Sequence, residues 1–227
     1  MNLERLVALA ERGRRMVRVP QNNGDWYRIR NADSSRAEVM LYGPIDDWDG
    51  INASQFVKDL RNINADSIDL HINSPGGLVF DAVAIYSALR NHPATVDVTI
   101  DGVAASAASF VAMAGDSVAI EKPAKMMIHD AAGLVIGNAA DMREMADLLD
   151  EISNTIAGIY ADRAGGSVGT WRTAMQAETW YSADAAVKAG LADRVVGQTS
   201  TASNDGRSQL IRARARATLG GVNANHR

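Results

Sequence analysis

"DSIDLHINSPGGLVFDAVAIYSALRN", residues 66–91, decides the fold class. Ile68, Leu70 and Ile72 alternate with Asp69 and His71, the period of two that marks a strand with one buried face. "SPGG" then breaks the chain, and "LVFDAVAIYSALRN" follows with helical spacing of its apolar residues. Upstream, "AEVMLYGPI", 37–45, reads as another strand. In "NASQFVKDLRNI", 52–63, Phe56, Val57, Leu60 and Ile63 share one helical face, with Asn52 or Ser54 as the cap. Downstream, "TVDVTI", 95–100, is again a strand. Strands alternating with helices call for parallel pairing and an α/β class.

The composition agrees. With 227 residues, of which 47% are apolar, the chain can bury the core of one large domain. Cysteine is absent, which removes disulfides and thiolate metal sites, and four scattered His residues predict no metal. No run of apolar residues is long enough to span a bilayer. The first twenty residues are broken by charges where a signal peptide needs an apolar stretch, so an intracellular protein is expected. The net charge of −4 is unevenly spread: residues 1–20 carry +3, residues 198–227 carry +4, and the body between them −11. Neither basic end has interleaved aromatics, so nucleic acid is not the expected partner.

Three units follow. Residues 1–20 form a basic segment with Leu3, Leu6, Val7 and Ala10 at helical spacing, residues 21–197 the folded domain, and residues 198–227 a polar, basic tail expected to be flexible. Within the domain, "DGVAASAASFVAMAG", 101–115, reads as a turn and a helix, and "DSVAI" and "KMMI" as short strands. Asn138 caps a long helix whose stripe of Met142, Met145, Leu149, Ile152, Ile156 and Ile159 runs for about seven turns, or roughly 37 Å. That exceeds what the domain needs, so the helix is expected to project against another subunit. Its Met residues are assigned to packing. The end reads as a helix at "SVGTWRTAMQ", a loop at "AETWY", a helix at "SADAAVKAG" stopped by Gly190, and a strand at "LADRVVG".

The chemistry centres on Ser106. A hydroxyl in a small-residue turn at a helix start sits among outward-pointing N–H groups able to hold an oxyanion, although a lone Ser there can equally be a cap. Its surroundings decide. "INSPGG", 72–77, "DGVAASAASFVAMAGD", 101–116, "MMIHDA", 126–131, and "AETWYSADAAVKAGLAD", 177–193, together resemble the Clp serine peptidases, collinearly from about Val39 to Val196. "YGPIDDW", "FVKDL", "DGVAASAAS" and "ETWYSADAA" are most similar to the Clp-related prohead (head maturation) proteases of tailed phages.

The resemblance implies an α/β fold of the Clp/crotonase kind, with repeated ββα-type units, a long protruding helix and assembly into homo-oligomeric rings. It implies Ser106 as nucleophile, His129 as general base, and the N–H groups of Gly77 and Ala107 as the oxyanion hole. Glu178 stands where the family's usual aspartate lies and can orient the imidazole if its longer arm is accommodated. Asp130 is the runner-up carboxylate. No metal or organic cofactor is implied. Polypeptides are the substrates; phage scaffold and coat proteins or an ATP-driven unfoldase are possible partners, and the location is the cytoplasm or an immature capsid. Three other readings stay open: acyl-CoA chemistry on a crotonase-type site, a Ser–Lys peptidase using Lys122 or Lys125, and an inactive shell protein. Ser109 is assigned to small-residue packing. His71, His92 and His226 belong to no motif, and Trp26, Trp48, Trp171 and Trp180 are assigned to packing or subunit contacts.

Overall fold

The structure is a computed structural model describing residues 27–31, 35–46 and 50–198. The basic N-terminal segment and nearly all of the 198–227 tail lie outside the described residues, as do Trp26, Trp48 and His226. Among the described residues eight strands form one sheet: β1 (Tyr27–Asn31), β2 (Arg36–Tyr42), β3 (Ser67–Ser74), β4 (Thr95–Ala105), β5 (Ser117–Ile120), β6 (Lys125–Ile128), β7 (Thr179–Ser182) and β8 (Arg194–Val195). The main path is β1-β2-β3-β4-β5-β8, parallel throughout apart from the antiparallel β1–β2 pair. Six helices are interleaved among the described residues: α1 (Ala53–Arg61), α2 (Val79–Arg90), α3 (Ala107–Ala112), α4 (Ala139–Ala164), α5 (Val168–Gln176) and α6 (Ala183–Ala189).

The alternation read from the sequence sorts the sheet into two faces. Val39 and Leu41, Ile68, Leu70 and Ile72, Val96, Val98 and Ile100, and Val118 and Ile120 are all buried and join one core with Phe56 and Leu60 of α1 and Ile85 and Leu89 of α2. The opposite face is polar. There Arg36 pairs with Asp69, Tyr42 donates to Asp101, and His71 Nδ1 lies 2.9 and 3.0 Å from the two Asp101 oxygens. His92, outside every motif, bridges Leu60 O through Nε2 and the Ala94 N–H through Nδ1, both at 3.1 Å.

β4 departs from the expected turn at residues 101–105, because the strand continues through them. Its pairing with β3 jumps from Ile72↔Ile100 to Ser74↔Ala104, so two residues of β3 oppose four of β4. Before this bulge β4 pairs with β5; after it Val103–Ala105 pairs with β6. Asn73 holds the bulge, accepting the Val103 N–H on its side-chain oxygen at 3.2 Å. A Cβ at Gly102 would come within 2.6 Å of that oxygen and push the Asn73 amide aside. The bend carries the end of β4 out of the main sheet and aims Ser106 away from the core.

"AETWY" likewise is not a loop throughout: Thr179–Ser182 forms β7, antiparallel to β6. Asn138 caps α4 as expected, its side chain accepting from the Ala140 and Asp141 N–H groups. The second half of α4 packs on the domain, with Ile156, Ala157 and Tyr160 buried, while Met142 and Leu148 of the first half are exposed. Arg163 anchors that half, donating to Gly115 O at 3.0 Å and to Asp193 Oδ2 at 2.5 Å. Ser182 and Gly190 bound α6, Gly190 in the left-handed conformation. Among the described residues no helix is long and apolar enough to cross a membrane.

Candidate active site

Two turns meet where β3 and β4 end. Ser106 follows the last residue of β4 with φ 53 and ψ −126, a conformation an L-residue adopts only when the surroundings impose it. Its N–H donates to Met127 O of β6 at 2.9 Å and its carbonyl accepts from the Ser109 N–H at 3.0 Å. Ser106 caps the helix by position only, because its side chain makes no capping hydrogen bond. That hydroxyl instead lies in hydrogen-bond contact with His129 Nε2 at 2.7 Å. His129 follows directly after β6, so the β4–β6 pairing that replaces β4–β5 beyond the bulge is what brings base and nucleophile together.

The "SPGG" turn packs against the nucleophile turn. A Cβ on Gly76 would lie 2.6 Å from Ala105 O, 2.7 Å from Ala107 N and 2.8 Å from Ser106 Cβ, so only glycine permits this approach. Gly77 bridges to Ile45, whose carbonyl would be 2.0 Å from an added Cβ. Buried Ser74 shapes the turn by accepting the Gly76 N–H on Oγ at 3.1 Å. Among the described residues the N–H groups of Gly77 and Ala107 have no acceptor. Both line, with Ser106 and His129, a cleft of about 330 Å³ whose apolar walls include Leu78, Val79, Phe110, Leu149, Ile156 and Tyr160, and which Asp130 also lines. Donors without acceptors beside a paired hydroxyl and imidazole fit a developing oxyanion next to an apolar side-chain pocket.

The carboxylate is arranged differently. The β6–β7 register ends at Ile128↔Thr179, which places Glu178 opposite His129 one step further on. Glu178 has φ 48 and is exposed, and among the described residues its carboxylate makes no hydrogen bond to the imidazole. The structure thus joins Ser106 to His129 and leaves the third link open. Asp130 lines the cleft but is paired with a cation: its Oδ2 accepts from Arg172 at 3.0 Å, and Arg172 also binds Asp150 and Asn154 of α4. Lys122 is engaged by Asp184 at 2.6 Å, and Lys125 lies at the far end of β6 from His129. The hydroxyl's partner is the imidazole, which neither the Ser–Lys nor the acyl-CoA reading explains.

Sequence reasoning missed Asn73 and Tyr160, whose partners Val103 and Ser109 are distant in the chain, and Ser74, whose hydroxyl takes the Gly76 N–H two residues on. Trp171 packs in the core, whereas Trp180 is exposed.

Comparison with known proteins agrees with this geometry. The family described as Clp protease matches residues 21–199. The chain is 33% identical over 155 residues to the ATP-dependent Clp protease proteolytic subunit 3 of Streptomyces coelicolor, covering 65% of this chain and 71% of that one. It is 28% identical over 182 residues to the ATP-dependent Clp protease proteolytic subunit of Pleurastrum terricola, covering 78% and 92%. Subunit 1 of Streptomyces avermitilis is 32% identical over 155 residues, covering 65% and 71%. With a family match across most of its length and a serine–histidine pair where β4 and β6 end, the chain belongs to the Clp protease family and is a serine-type endopeptidase.

Proposed function

We propose that peptide hydrolysis runs through Ser106, His129 and Glu178, carried by the 2.7 Å contact of Ser106 Oγ with His129 Nε2 beside the acceptor-free N–H groups of Gly77 and Ala107. Ser106 Oγ attacks the scissile carbonyl while His129 Nε2 takes its proton. The carbonyl oxygen, now an anion, is held by the two N–H groups, and His129 returns the proton to the leaving amine. Water then repeats the sequence on the acyl-enzyme, with His129 as base. Glu178 orients His129 through Nδ1–H when its exposed side chain turns inward; its place opposite His129 in the β-register supports this role. The apolar walls of the cleft favour an apolar substrate side chain.

Ring assembly is part of the reading. Leu134 and Ile136 are 72% and 73% exposed in the arm after His129, and Met142 and Leu148 are exposed on the first half of α4, a set of apolar residues suited to contact with further copies. Within the family we place the chain with the phage head-maturation branch, on the strength of "YGPIDDW", "FVKDL" and "ETWYSADAA", with scaffold or coat segments cut inside an immature capsid. The names of the relatives favour a second setting, a general Clp peptidase fed by an ATP-dependent unfoldase.

Hydrolysis of an unstructured polypeptide by native protein and by a folded Ser106→Ala variant tests the chemistry, with loss in the variant expected and equal activity refuting it. Adding a Clp unfoldase and ATP separates the settings: cleavage of a folded substrate only with both present supports the unfoldase-fed peptidase. Cleavage of coat or scaffold segments without them supports the capsid setting.

A further inference from the structure

We propose that Ser109 and Tyr160 are positioning residues for the nucleophile, acting through a buried hydrogen-bond chain from the Tyr160 O–H to Ser109 Oγ–H to the carbonyl of Ser106. The proposal rests on the reading of Ser106 as nucleophile. Ser109 Oγ donates to Ser106 O at 2.5 Å. That bond uses its one hydrogen, so the 2.7 Å contact with Tyr160 must have the phenol as donor. Burial holds the Tyr160 phenol above its usual range, keeping it a donor.

What the chain clamps is the peptide that most needs clamping. Ser106 carries the strained backbone that presents its hydroxyl to His129, and its carbonyl receives two donors from Ser109, the N–H and the O–H. Ser109 is 0% and Tyr160 1% exposed, so water cannot replace either bond. Were filling space the only requirement at position 109, alanine would serve, as it does at Ala107, Ala108 and Ala112 around it. Tyr160 is itself fixed from behind: its ring lies 5.6 Å from that of Trp171 on α5, whose indole N–H donates to Gly165 O at 2.7 Å. Since Tyr160 also walls the cleft, the chain ties the nucleophile's backbone to the helix that shapes the substrate pocket.

The test compares Ser109→Ala, Tyr160→Phe and the double variant with native protein, measuring kcat and KM on a peptide, the rate of Ser106 labelling by an aryl phosphonate, and the thermal midpoint. Each single variant should lower kcat and the labelling rate about tenfold, the effect of one lost hydrogen bond felt at the reacting atom, with KM nearly unchanged. The double variant should be no slower than the worse single one, because both break the same chain. Adding Tyr160→Phe to Ser109→Ala should restore the thermal midpoint, since it removes a buried phenol left without an acceptor, yet leave kcat low. Single variants that label at the native rate overturn the proposal. So do losses that multiply in the double variant, or a kcat that recovers together with the midpoint. Absence of labelling in native protein that hydrolyses peptides instead overturns the assignment of Ser106 on which it rests.

Discussion

Replacing Gly76 with alanine drives a methyl group into the contact between the two turns that build the site. At φ +89 the added Cβ meets Ala105 O at 2.6 Å, Ala107 N at 2.7 Å and Ser106 Cβ at 2.8 Å, where ordinary contact begins at 3.4 Å. The turns must part by about 0.6–0.8 Å, the shortfall in those distances, or the "SPGG" turn must rotate. Either motion separates the Gly77 N–H from the Ala107 N–H and from the attacking hydroxyl. Misplacement on that scale costs up to about 10²-fold in rate. The unfavourable backbone adds a stability loss on the order of 1–3 kcal/mol, a thermal midpoint lower by roughly 2–10 °C. Gly197→Ala is the matched control: its φ is +77 but nothing lies within 4 Å, so it should lower the midpoint and spare activity. Peptide hydrolysis and thermal denaturation on the three proteins give both numbers. Gly76→Ala within twofold of native activity, or Gly197→Ala equally impaired, would refute the claim that this contact sets the geometry.

Two further outcomes are expected. Glu178→Gln should lower kcat by up to about 10⁴-fold if this carboxylate completes the triad. Asp130→Asn, which weakens the pairing with Arg172 rather than contact with His129, should act mainly on thermal stability, and kinetics with melting curves for both variants check this. Burial lowers the pKa of His92, whose Nδ1 must stay unprotonated to accept from Ala94. The unfolded chain therefore takes up this proton first, so His92 costs no stability above the ordinary histidine pKa of about 6.5 and an increasing amount as pH falls below it towards the lowered folded value. His92→Gln should flatten the fall of the urea midpoint between about pH 7 and pH 5.

The parts of the fold visible in the sequence were those whose signal is local. The alternation of Ile68, Leu70 and Ile72 marks one buried face, Asn138 a helix start and Gly190 a helix end, and each holds in the structure. What escaped was non-local. Residues 101–105 look like a turn because Asp101, Gly102 and a run of small residues carry little strand propensity, and their strand exists through β6 and Asn73. Thr179–Ser182 likewise becomes a strand only through its pairing with β6, some fifty residues earlier in the chain. Ser106 and His129 were legible through their motifs, and the structure brings them into contact. The hydrogen bonds of Ser109 were not, because a serine among alanines reads as filler until Tyr160 arrives from a helix fifty-one residues away.

The most direct measurement is the mass and peptide map of native protein after reaction with an aryl phosphonate that modifies activated serines. The account predicts one adduct per chain, located on Ser106, and none in Ser106→Ala or His129→Ala. An adduct on Ser109 or another serine, or no adduct in a sample that hydrolyses peptides, would contradict it.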